Sequence, residues 1–101
     1  MKLPENSVIT QEKLADYVLK PGKSNDKSKF LALGGYFVEN WQELGTDLRS
    51  LLQLDTEPAQ DNEYGQFFEI CGNLRNLKVK TIWLLERGTE LPRFITLFPF
   101  P

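Results

Sequence analysis

The sequence predicts an α+β domain in which three N-terminal helices pack on one face of a three-stranded antiparallel β-meander. Three observations carry this prediction. Apolar residues recur at helical spacing as far as Leu52, and the period drops to that of strands near residue 60. The stretch Val79-Lys80-Thr81-Ile82-Trp83-Leu84-Leu85 is dense in β-branched, aromatic and aliphatic side chains, as an interior strand requires. The segments on either side are joined to it by short, turn-rich connections, which favour antiparallel neighbours.

Residues 1–9 read as extended, with Pro4 blocking regular helix. Thr10 is a candidate N-cap, and Glu12 in the first turn suits the helix dipole. Leu14, Tyr17 and Val18 form one apolar stripe, and Pro21-Gly22 stops the helix. Ser24 or Asn25 caps a second helix, which buries Phe30, Leu31 and Leu33 and ends at Gly34-Gly35. Asn40 and Glu43 stand at capping-box spacing before a third helix, with Trp41, Leu44, Leu48, Leu51 and Leu52 on one face. Residues 53–63 read as a polar linker with Pro58 and four carboxylates. The strands are Tyr64 to Ile70 or Cys71, then Leu77 to Glu86, then Arg93 to Phe98. Residues 72–76 and 87–90 form the turns, and Pro92 stands at the entrance of the last strand. Leu14, Val18, Phe30, Leu33, Trp41, Leu44, Leu48, Leu51, Ile82 and Leu84 are the expected core. The central strand is apolar on both faces. One should carry the helices, and the other calls for a loop, the N-terminal segment or a partner.

At 101 residues the chain is long enough for one domain, 1–101, with a single core that needs no disulfide or metal. With 12 basic and 14 acidic residues, it lacks the net positive charge of a general nucleic-acid coat protein. There is no histidine and one cysteine, Cys71. This removes histidine triads, histidine-containing zinc sites and internal disulfides, and it fits a reducing, cytoplasmic setting. No cofactor or metal is implied. The N-terminus carries no apolar leader run, and nothing approaches the ~20 apolar residues of a membrane-spanning helix. No glycine spacing matches a phosphate-cradling loop.

Two basic groups remain as candidate phosphate contacts: Lys20, Lys23, Lys27 and Lys29 around the first interhelical loop, and Arg75, Lys78 and Lys80 at the start of the central strand. Lys27 is the unusual member, because a cation in a helix's first turn opposes the dipole. Chemistry without histidine is still open to a ribonuclease: strand-borne Lys, Arg, Tyr and Thr can neutralise a phosphate and stabilise its developing charge.

The chain also resembles a family of small uncharacterised bacterial domains, often cyanobacterial, that are found as well at the C-terminal tips of polymorphic toxins. The resemblance rests on Lys2-Leu3-Pro4, Asp16-Tyr17-Val18-Leu19 and Asp26-Lys27-Ser28-Lys29-Phe30 at the front. At the back it rests on Glu63-Tyr64-Gly65-Gln66, Val79-Lys80-Thr81-Ile82-Trp83 and Pro92-Arg93-Phe94-Ile95-Thr96. It departs at Pro21-Gly22-Lys23-Ser24-Asn25, where the family pattern leads one to expect a histidine or another polar residue. The resemblance implies a toxin-like domain that cleaves or binds RNA, with RNA and a cognate antitoxin or immunity protein as partners. Lys27, Thr81 and Arg93, with Thr96 beside them, become the catalytic candidates: Lys27 to neutralise the scissile phosphate, Arg93 to stabilise its charge and Thr81 to orient a hydroxyl. Lys23, Lys29, Arg75, Lys78 and Lys80 become the RNA contacts. The alternative from the residues themselves is a non-catalytic interaction module that docks a partner through its sheet face.

Overall fold

The computed structural model describes residues 1–22 and 27–100; the capping positions Ser24 and Asn25 and the candidate contact Lys23 lie outside the described residues. The class is α+β, with the helical part first. The sheet has four strands rather than three: β1 (Glu57–Asn62), β2 (Gly65–Leu74), β3 (Leu77–Glu86) and β4 (Arg93–Pro99), antiparallel throughout in the order β1-β2-β3-β4. The expected polar linker is thus itself an edge strand. Its exposed side chains and Pro58 conceal it from a hydrophobic-period reading, and they are also what protects a sheet edge from further pairing. β3 has the bounds expected of it. β2 runs on to Leu74, through the stretch expected to be a turn. Gly72 serves a close approach there: a Cβ at this position would meet the tips of Leu51 and Leu54, each at 2.8 Å.

The first helix begins as expected. Thr10 Oγ1 accepts from the Lys13 N–H at 3.2 Å at the start of α1 (Gln11–Lys13). It then widens into a π-helical turn, Leu14–Val18, closed by the Leu19 N–H to the Leu14 carbonyl at 2.9 Å. The wider turn brings Leu14, Ala15, Val18 and Leu19 into the core and leaves Tyr17 exposed, contrary to its expected place in the stripe. α2 (Lys27–Ala32) ends as the glycine pair foretold. Gly35 takes a positive φ of 82°, the Tyr36 N–H reaches back to the Leu31 carbonyl, and the Gly35 N–H reaches back to that of Ala32. This is a Schellman closure with its apolar pair, Leu31 and Tyr36, both buried. Leu33 sits on the outer side of that closure and is 73% exposed, so its place in the expected core is corrected.

α3 (Trp41–Ser50) continues into a 3₁₀ turn, Leu51–Gln53, and buries Leu44, Leu48, Leu51 and Leu52. Trp41 and Phe30 are only partly buried against the core. The Asn40–Glu43 capping box does not form. Asn40 instead accepts from the Phe37 N–H and donates to the Gly35 carbonyl, and Glu43 turns to Arg75.

The helices cover the β3 face made by Leu77, Val79, Thr81 and Trp83. Trp83 is fully buried, edge-on to Phe94 with ring centroids 5.5 Å apart. The expected core members Ile82 and Leu84 therefore point to the opposite face, where Leu84 is shielded by its neighbours and Ile82 is half-buried. The N-terminal segment does not cover that second face. Met1 accepts from the Thr56 N–H just before β1, Leu3 enters the core, Arg49 of α3 holds the Glu5 and Ser7 carbonyls, and Val8 pairs in parallel with Arg93 of β4. The segment is a strap across the helix side from one sheet edge to the other. No helix among the described residues is long and apolar enough to cross a membrane.

The Thr81 hydroxyl donates to the Ile70 carbonyl at 2.9 Å and accepts from the Trp83 indole N–H at 2.8 Å, all inside the core. Thr81→Val keeps the shape and leaves the indole donor buried without a partner. The expected loss is about 1–3 kcal/mol in urea denaturation. A loss below about 0.5 kcal/mol, the range of an inconsequential substitution, would show that the hydroxyl does not hold the core.

Candidate docking face

The sheet face away from the helices is built from alternate residues of each strand. On β3 these are Lys78, Lys80, Ile82, Leu84 and Glu86. Register places Cys71 and Phe98 beside Lys80, Glu69 and Thr96 beside Ile82, and Phe67 and Arg93 beside Leu84. Phe67, Ile82, Leu84 and Phe98 make an apolar centre. Phe98 and the following Phe100 are 43% and 40% exposed. Charges border that centre in pairs: Lys80 Nζ lies 3.5 Å from Glu69, and Arg93 Nε lies 3.4 Å from Glu86. Pairs this exposed contribute at most about 1 kcal/mol each. Their effect is to keep the face close to neutral. Among the described residues, the one helical side chain shown to reach it is Lys27, at the start of α2, which meets Phe98 at the β4 edge.

The three catalytic candidates are not brought together. Thr81 is fully buried on the helix side, and both roles of its hydroxyl are taken by the core. Arg93 pairs with Leu84, three residues further along β3 and on the other face. Lys27 is nearly buried, with its ammonium 4.5 Å from the centre of the Phe98 ring, so the cation at the helix start is held by an aromatic face. The alternation of strand side chains sends Thr81 and Arg93 to opposite sides, and no rotamer change brings them to one atom. Thr96 stands beside Ile82 in the register, and its Oγ1 is buried without a partner among the described residues.

The proposed RNA contacts are dispersed as well. Lys78 and Lys80 are on the docking face, and Lys29 is on the exposed side of α2. Arg75 is committed to an internal latch. At the β2–β3 turn it takes a φ of 56°, rare for a large side chain. Its guanidinium donates to the Gly34 carbonyl and to Glu43, approaches Asp47 and stacks 4.3 Å over the Tyr36 ring. Tyr36 in turn donates its phenol hydrogen to Asp47 at 2.5 Å. This group ties the hairpin to α3. Sequence reasoning missed it because its hydrogen bonds join residues 11 to 41 positions apart that share no local motif.

Arg93 also borders a small polar hollow of about 360 Å³ with Thr10, Glu12, Lys13 and Tyr17, where the Lys13 ammonium lies 4.7 Å from the Tyr17 ring centre. A larger cleft of about 520 Å³ runs between the strap and α3 past Ile9, Trp41 and Arg49. Among the described residues, no group of three or more His, Cys, Asp or Glu side chains is placed to hold a metal.

Burial, and then the bond to Asp47, push the Tyr36 phenol above its ordinary value near 10. A raised value favours the protonated phenol in the folded state. The stability it contributes is complete below about pH 10 and is lost as pH rises toward the folded value. Tyr36→Phe should therefore lose less stability than the wild type between pH 9 and the strongly alkaline range, read as denaturation midpoints at stepped pH. Parallel curves would show that Tyr36 is not the group responsible.

Residues 2–101 match the family described as "Domain of unknown function (DUF6883)", and the chain belongs to that family. No curated protein and no solved structure matches it.

Proposed function

We propose that this DUF6883 domain is a non-catalytic interaction module that docks a protein partner through the open face of its sheet. One observation carries the reading: a sheet with one face sealed by helices and strap presents a second face whose centre is apolar and whose charges are already balanced. A contiguous apolar patch rimmed by polar groups is the ordinary mark of a protein-binding surface. A near-neutral rim suits a protein surface better than a polyphosphate, whose capture needs uncompensated cations. The RNA-cleaving alternative needs Lys27, Thr81 and Arg93 to reach one phosphate, and a Thr81 hydroxyl occupied inside the core cannot take part. A cognate antitoxin or immunity protein, the partner of the toxin-tip resemblance, is one kind of protein such a face would serve.

The test is site-specific photo-crosslinking in the native cell. A benzophenone side chain at Phe98 should give one discrete adduct, identified by mass spectrometry, that disappears when Ile82→Lys is added. The same side chain at Tyr64, exposed at the β1–β2 turn, should not give it. No adduct at Phe98, or equal yield at Tyr64, would remove the sheet face from the function.

A further inference from the structure

The order of charges along the open face fits one partner in particular. Lys78 and Lys80 lie toward the β2–β3 turn, and Glu86 ends β3 at the other side, with Ile82 midway between Lys78 and Glu86. The strands bring three cations to the face, Lys78, Lys80 and Arg93, against three carboxylates, Glu57, Glu69 and Glu86, and the Lys27 ammonium reaches its Phe98 ring from the start of α2; the register of β1 on β2 sets Glu57 beside Glu69. From this pattern we infer that the docking partner is a second copy of this chain, packed sheet face to sheet face about a two-fold axis that crosses β3 at Ile82. The inference rests on the docking reading above.

Two sheets related by a two-fold axis in their interface have two simple arrangements. With the axis along β3, every residue meets its own row: Lys78 faces Lys78, Lys80 faces Lys80, Glu86 faces Glu86, and the contact is repulsive along its length. With the axis across β3, the strand runs reversed over its copy. Lys78 then faces Glu86 of the second copy, Lys80 lies over Leu84, and Ile82 meets itself. On β4 Phe98, which carries the Lys27 ammonium over its ring, falls opposite Arg93. On β2 Cys71 falls opposite Phe67. Like charges meet at the axis, where Glu57 and Glu69 each face their own copies; each Glu69 carries its own Lys80 at 3.5 Å, and the two Lys78–Glu86 pairs have no counterpart among the three like-charge rows of the first arrangement. The charge pattern therefore selects the second arrangement, which is the isologous, closed contact typical of dimers.

Size sets the strength. Four strands about 4.8 Å apart, of six, ten, ten and seven residues at about 3.3 Å per residue, offer about 520 Å² from each copy. That lies below the roughly 800 Å² per partner of a standard stable interface, so the dimer should be reversible, with dissociation in the micromolar range.

Sedimentation equilibrium on the purified chain, with the charge variants Lys78→Glu, Glu86→Lys and the double exchange, is the test. Both positions are exposed, so melting curves should stay close to wild type and confirm folding. The expected result is a wild-type dimer, at least tenfold weaker association in each single variant, and recovery to within about threefold in the double exchange. A dimer indifferent to all three variants overturns the arrangement. A wild-type monomer up to millimolar concentration, with a Phe98 adduct to a different protein in the crosslinking experiment, overturns the second copy and leaves the docking reading standing. A monomer with no Phe98 adduct overturns both.

Discussion

A buried hydroxyl decides which way the sheet faces. Thr81 stands mid-strand in a segment that is apolar on both sides, where hydrophobicity alone leaves two registers nearly equivalent. Its Oγ1 lies between the Ile70 carbonyl and the Trp83 indole, and it satisfies both polar groups inside the core. A slip of one residue would send Thr81 and Trp83 to the outer face and carry Ile82 and Leu84 inward. The Thr81 hydroxyl would then lose the Ile70 carbonyl across the strand pair, and the largest side chain of the core would be replaced by smaller ones. Polar groups buried without partners are costly, so this small network specifies the native register more strongly than further apolar bulk would.

With that face fixed, two staples hold the helices against it. The strap from Met1 to Val8 bonds to the chain just before β1, to α3 and to β4, so it links both sheet edges through one extended segment. At the β2–β3 turn Arg75 reaches the carbonyl after α2 and the carboxylates of α3, with Tyr36 beneath it. The positive φ at Arg75 is the local cost of placing that guanidinium, and its several contacts offset it. Both staples act on the helix side. The outer face holds only its own cross-strand pairs and the contact of Lys27 with Phe98, and its exposed rings, Phe98 and Phe100, are available for another surface.

Much of this was legible in the chain. The helical stripe of α3, the bounds of β3, the Thr10 cap and the Gly35 closure follow from local rules that involve only a few neighbouring residues. β1 was not legible, because an edge strand made of Glu, Pro, Gln, Asp and Asn has no apolar alternation to show. Leu33 and Tyr17 were misplaced because a Schellman closure and a π turn each rotate the side chains that follow, and neither can be seen in a 3.6-residue period. The site was harder still. Thr81 and Arg93 share a strand pair yet face opposite ways, and their sides follow only once the register is known. The alternation Phe98, Phe100 and the run Phe67, Glu69, Cys71 were the available signals of an outer face, and they acquire meaning only when the strands are aligned.

The central claim is that the outer sheet face is covered when the protein associates. Cys71 reports on it directly: it is the only thiol in the chain, it is exposed, and it sits in that face beside Lys80. The measurement is the rate of alkylation of Cys71 in the unmodified protein as its concentration is raised from the low micromolar range to the millimolar. A rate constant that falls as the dimer fills is what the sheet-face contact requires. A rate constant unchanged across that range would contradict it.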